Sequence, residues 1–133
     1  ESERQEYHSA LAKAAFELHL FAEAEQAYRK ALLLNPDNCE TWLDLAWFLL
    51  ERMRTDEALE VLAEANQALV EAELQYSYVA VLMLSGRRQQ ALQTLSEILA
   101  EAYAQHSYLF DWLPDLRRDK DVLSLLDLHR SAG

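Results

Sequence analysis

Residues 32–50 read LLLNPDNCETWLDLAWFLL. An apolar run stops at Asn35-Pro36-Asp37-Asn38, and a second run, richer in Trp and Leu, starts at once. Pro36 has no amide hydrogen and its ring clashes with the preceding turn, so no helix continues through it. Asp37 and Asn38 carry the short polar side chains that cap a following helix. The stretch therefore reads as a junction between two helices. Apolar residues recur at three-and-four spacing on both sides of it, as at Leu11, Ala14, Ala15 and Leu18 and again at Leu92, Leu95, Ile98 and Leu99. Further breaks fall at RMRTDE, LVEAE, SGRRQQ and WLPD, and no segment alternates as a strand does. In RTDEA, Thr55 or Asp56 is the expected cap.

The junction belongs to a repeat. Leu11-Ala12, Leu45-Ala46 and Val79-Ala80 are spaced 34 residues apart, as are Ala24 and Ala58, and Ala31 and Ala65. Such a period describes helical hairpins stacked in an array. Two helices approach closely only where small side chains lie at their crossing, which Ala12, Ala24 and Ala31 provide in the first unit and Ala46, Ala58 and Ala65 in the second. Leu11, Tyr28, Trp42, Leu45, Leu49 and Leu62 fill the space alongside.

On these residues the chain resembles the tetratricopeptide repeat (TPR) family. The family pattern is matched by Leu11, Ala12, Ala24, Tyr28, Ala31 and Pro36, then by Trp42, Leu45, Ala46, Ala58, Leu62 and Ala65, with Val70 where Pro is expected. A third unit fits at Tyr76, Val79 and Ala80, but Ala91 comes one residue early, which implies a shortened turn around Gly86. The resemblance implies an all-α fold, a right-handed superhelical stack of antiparallel helix hairpins. It makes residues 1–133 a single domain with repeats at about 5–38, 39–72 and 73–104 and a capping segment at 105–133. A solenoid's last hairpin leaves an apolar face to be covered. A terminal helix with Leu123, Leu126 and Val122 inward is expected there. Tyr108, Phe110 and Trp112 are the rival reading of the tail, as a binding element of their own.

Composition narrows the function. Twelve basic residues against 23 acidic give a net charge of −11, which repels phosphate backbones and argues against nucleic acid. No run approaches the roughly 20 apolar residues of a membrane span. ESERQEYHSA lacks the basic start and apolar core of a leader. The lone Cys39 excludes an internal disulfide, which suits a reducing, cytoplasmic compartment, while a removed signal peptide would suit the periplasm. His8 and His19 lie about 16 Å apart along one helix, too far to share a metal. Glu57, Glu60 and Glu64 read as a solvated face, and no glycine-rich phosphate loop exists. No enzymatic activity, cofactor or metal is expected.

Recognition remains. In the family, the first helix of each hairpin lines a concave groove, and register carries over Lys13, Phe16, Leu43, Asp44, Trp47, Leu50, Tyr78, Val81 and Leu84 as partner-binding residues, with Ser9, Glu17, Glu51 and Ser77 beside them. One family mode clamps a terminal carboxylate with Lys, Asn and Arg. Here Ser9, Lys13, Asp44 and Tyr78 stand at those places, and Asp44 would repel that ligand. The groove is apolar and aromatic instead, with Trp47 as its anchor unless that ring packs under a neighbouring hairpin. The expected partner is another protein, through an apolar segment bearing some basic residues. Two rival roles are a structural fragment of a longer solenoid used for assembly or self-association, as a homo-oligomer, and a regulatory domain of an enzyme or secretion apparatus.

Overall fold

The computed structural model describes the backbone of residues 2–132 and the side chains of residues 4–130. Among the described residues the regular structure is entirely helical: α1 (Ser2–Glu17), α2 (Phe21–Leu34), α3 (Cys39–Glu51), α4 (Thr55–Ala68), α5 (Ala72–Leu84), α6 (Arg88–Ala102), α7 (Ser107–Trp112) and α8 (Lys120–Ala132). Two short 3-10 segments, Tyr103–Gln105 and Pro114–Arg118, flank α7. The fold is an all-α stack of helical hairpins, arranged in two compact units, residues 1–69 and 70–133.

In the first unit α1 pairs with α2 and α3 with α4, and α2 packs on α3. Ala12, Ala24, Ala31, Ala46, Ala58 and Ala65 have no exposed surface, so the predicted small residues do sit at the crossings. The joint between the hairpins is aromatic. Phe48 lies with its ring centroid 5.7 Å from Phe16, 6.2 Å from Phe21 and 6.0 Å from Tyr28, spacings typical of edge and tilted ring pairs. At the junction that opened the sequence reading, the Asn38 side chain accepts a hydrogen bond from the Thr41 amide at 3.1 Å, and the Trp42 indole donates to the Pro36 carbonyl at 2.7 Å.

One turn closes all three hairpins. After α1, the Leu20 amide donates to the Ala15 carbonyl at 2.8 Å and the His19 amide to Phe16 at 3.0 Å. Arg54 to Leu49 and Met53 to Leu50 repeat the pair after α3, and Arg87 to Leu82 and Gly86 to Met83 repeat it after α5. This is the Schellman helix ending, which needs a left-handed residue just past the helix. His19, Met53 and Gly86 supply it, with φ of 61°, 63° and 79°. The first of these turns has neither Gly nor Pro, and its position went unpredicted. Neither Thr55 nor Asp56 caps α4: Arg54 occupies the cap position without a side-chain cap bond, because the turn places Thr55 already inside the helix. Arg54 instead binds two carboxylates, Glu25 at 2.6 and 3.0 Å and Glu57 at 2.8 and 2.6 Å, tying α2 to the start of α4. That guanidinium holds the Glu25 carboxyl below its usual range.

In the second unit α5 pairs with α6, α7 packs on α5, and α8 packs on α6. The tail is thus a pair of helices with α7 very short. Val122 and Leu126 face inward as expected, whereas Leu123 is 41% exposed. Tyr76 is fully buried and donates its hydroxyl proton to the Ala102 carbonyl at 2.6 Å. Asp119 caps α8 by accepting from the amides of Asp121 and Val122, and its carboxylate receives both terminal nitrogens of Arg88 at 2.8 Å. Arg88 thereby fastens the tail to the start of α6.

Candidate partner-binding face

Helix α3 carries two different sides. Thr41, Trp42, Leu45, Ala46, Phe48 and Leu49 are buried. Leu43, Trp47 and Leu50 follow one another at helical spacing on the remaining side, and a ring as large as Trp47 is left 47% exposed there, with Leu43 and Leu50 half-buried beside it. Exposing a tryptophan forgoes the burial its surface would otherwise gain, and tryptophan is among the residue types enriched at protein interfaces.

Beside the stripe, between α1 and α3, lies a polar cleft of ≈ 380 Å³. Buried Gln5 donates to the hydroxyls of Ser9 and Thr41 at 3.0 and 3.2 Å in its wall. The Lys13 ammonium reaches Glu40 at 2.9 Å and Asp44 at 3.8 Å. Burial pushes the Asp44 carboxyl above its ordinary value, and Lys13 only partly offsets this. The amine itself is held protonated to higher pH, chiefly by its hydrogen bond to Glu40. A lysine already engaged by two acids is poorly placed to grip a carboxylate. Gln5 and Thr41 were not singled out from the sequence, and their counterparts at the 34-residue spacing, Cys39 and Glu73 for Gln5 and Tyr7 and Gln75 for Thr41, give no pattern that would have marked them.

Phe16 is half-buried in the aromatic joint with Phe21 and Phe48, so it serves the stacking of the hairpins before any ligand. In the second unit Tyr78 is half-buried and Leu84 is 50% exposed. Val81 corrects the sequence reading: it has no exposed surface and is core. The reason is a register change ahead of α5. Both ends of α5 and its closing turn bonds follow those of α3 by 33 residues, and the connection before it, residues 69–71, is one residue shorter than the connection 35–38. The turn around Gly86 is therefore of ordinary length, and Val81, 33 residues after Phe48, takes the place of Phe48 instead of Trp47.

No group of His, Cys, Asp and Glu side chains able to hold a metal occurs among the described residues, and none of their helices is long and apolar enough to cross a membrane. Hairpins repeating with the same small residues at their crossings and the same closing turn define a helical-hairpin repeat protein. Residues 15–76 match the family model described as Tetratricopeptide repeat, and the helical hairpins of the described residues are consistent with repeats of that kind. No curated protein matches the chain significantly. Repeats of this family are in general protein–protein interaction modules and typically have no enzymatic activity.

Proposed function

We propose that the chain binds a segment of a partner protein through the apolar side of α3, with Trp47 as the anchor and Leu43 and Leu50 beside it; Tyr78 and Leu84 of α5 are candidate contacts of the second unit taken by itself. The chain's repeats at about 5–38, 39–72 and 73–104 form the recognition part, and residues 105–133 cap them. The exposure of Trp47 within that stripe carries the reading. The occupant is an apolar helix or extended segment with Lys or Arg at intervals. Supporting this are the net charge of −11 and the acids Glu40, Asp44 and Glu51 along α3. Each apolar side chain seated on the stripe would contribute about 1.5–3 kcal/mol before ordering costs. The role is that of a scaffold or adaptor.

The reading is tested by affinity capture from the native lysate with the wild type and with the Trp47→Ala, Tyr78→Ala variant, alongside far-ultraviolet circular dichroism. Loss of one captured protein at unchanged helical content is expected. Capture that survives the double substitution would remove these residues from the site.

A further inference from the structure

The polar cleft between α1 and α3 holds two groups that the surrounding residues leave unsatisfied. The first is an amide. Gln5 is only 3% exposed and lines the cleft, and its Nε2 donates to the hydroxyls of Ser9 and Thr41. Its Oε1 accepts no hydrogen bond from a described residue, yet it is not sealed in, so it opens on the cleft. One end of this deeply buried amide is bonded and the other is bare, which is costly unless a ligand or water meets it.

The second is a carboxylate. Asp44 lines the same cleft, three residues after Thr41 and so one turn further along α3. Its one cationic neighbour among the described residues is Lys13, at 3.8 Å and beyond hydrogen-bonding distance, because that ammonium is held by Glu40 at 2.9 Å. Burial raises the Asp44 carboxyl above its ordinary value in spite of Lys13, so the charge is under-compensated. The charged side chains of the lining are Glu6, Glu40 and Asp44 against Lys13 alone, which makes the cleft negative as a whole.

A bare amide oxygen and a carboxylate about one helical turn apart call for a cation with several donors in a fixed arrangement. An ammonium is a compact point charge with three donors, whereas a guanidinium carries five in a planar fork and can pair with both Asp44 oxygens while donating to Gln5. We infer that the cleft seats an arginine side chain, its guanidinium paired with Asp44 and donating to the Gln5 Oε1. Resting on the partner reading above, this arginine belongs to the segment bound at Trp47. Trp47 follows Asp44 by three residues, so the arginine lies within about one helical turn of the segment's apolar anchor.

The test titrates the whole chain with Nα-acetyl-argininamide, which carries the guanidinium and no apolar anchor, and follows the NMR signals of the Gln5 side-chain amide and the Thr41 backbone amide. Saturable shifts of both are expected. Nα-acetyl-lysinamide should bind several-fold more weakly, and Nα-acetyl-norleucinamide should shift neither signal. Asp44→Asn keeps the side chain's shape and should weaken the arginine probe about tenfold at unchanged helical content. Lys13→Ala, at an exposed position, should strengthen it, because a competitor for Asp44 is gone; this variant decides alone if Asp44→Asn loses helical content. Trp47→Ala should bind the probe as the wild type does, so a partner reading that fails at Trp47 leaves the arginine seat standing, and Trp47-dependent capture without binding of the probe does the reverse. The inference is overturned by the absence of saturable shifts, or by lysine or norleucine probes that bind equally well. It is also overturned by an Asp44→Asn chain that binds as the wild type does, by a Lys13→Ala chain that binds no better, or by loss of the probe in Trp47→Ala, which would seat the guanidinium on the indole.

Discussion

The two units close their first hairpins with the same turn and fill it differently. In residues 1–69 the left-handed position is held by His19 and Met53, in residues 70–133 by Gly86. The joint residue beside that turn is Phe48 in the first unit, surrounded by three rings, and Val81 in the second. The first unit also keeps the 34-residue spacing throughout, whereas α5 and its turn follow α3 by 33, one residue being lost in the connection before α5. What survives this loss is the turn and its hydrogen bonds. What does not survive is the assignment of outward and inward sides, since one residue rotates a helix face by about 100°. Backbone capping is thus the fixed part of this architecture, and side-chain facing is the part that must be read anew for each helix.

If the joints differ as described, Phe48→Ala should be the costliest change, destabilising by about 3–5 kcal/mol as three rings lose their partner. Val81→Ala should cost less, about 2 kcal/mol, for two buried methyl groups and the small cavity they leave. Urea unfolding followed by circular dichroism measures both. Equal costs would mean that Val81 does not hold the place of Phe48.

A middling effect belongs to the tail. Asp119→Ala should cost about 1 kcal/mol through loss of the α8 cap. Asp119→Asn keeps the cap and loses the ion pair with Arg88. The Arg88 guanidinium holds the Asp119 carboxyl below its ordinary value of 3.8. The folded value being the lower one, the stabilisation from this carboxylate is complete above 3.8 and fades as pH falls through the depressed value. The gap between wild type and Asp119→Asn should therefore narrow under acid. A gap that is the same at neutral pH and well below 3.8 would show that the ion pair adds nothing to the cap.

The smallest effects test the turn itself. Met53→Gly should stabilise and Gly86→Ala destabilise, each by roughly 0.5–1 kcal/mol, because a side chain is strained in the left-handed conformation. A Cβ added at Gly86 meets nothing within 4 Å, so no steric clash confuses the comparison. Changes of the same sign in the two turns would contradict a shared turn geometry.

Much of this architecture was legible in the sequence, since Pro36 and Asn38 mark a helix junction by themselves and alanines at a fixed period mark helix crossings. The turn at His19 was not, because a Schellman ending can be made without glycine and then leaves no compositional trace. Nor was the burial of Val81, because the early arrival of Ala91 shows that a residue is missing but not where. Leu11 was read as a packing residue from its repeat position and is 44% exposed, although its counterpart Leu45 is fully buried. Of the candidate site, the stripe of Leu43, Trp47 and Leu50 was reached by carrying the register of the resembled family onto α3, to which helical spacing conforms. The engagement of Lys13 by Glu40 and Asp44 required the approach of α1 to α3, which no local pattern encodes.

The central claim is that Trp47 anchors an apolar, basic segment, and selection of short random peptides on the purified wild type and on Trp47→Ala tests it most directly. The account predicts that the wild type enriches peptides combining large apolar residues with Lys or Arg, and that Trp47→Ala fails to retain them. Enrichment of the same peptides by both proteins, or of acidic peptides by the wild type, would contradict it.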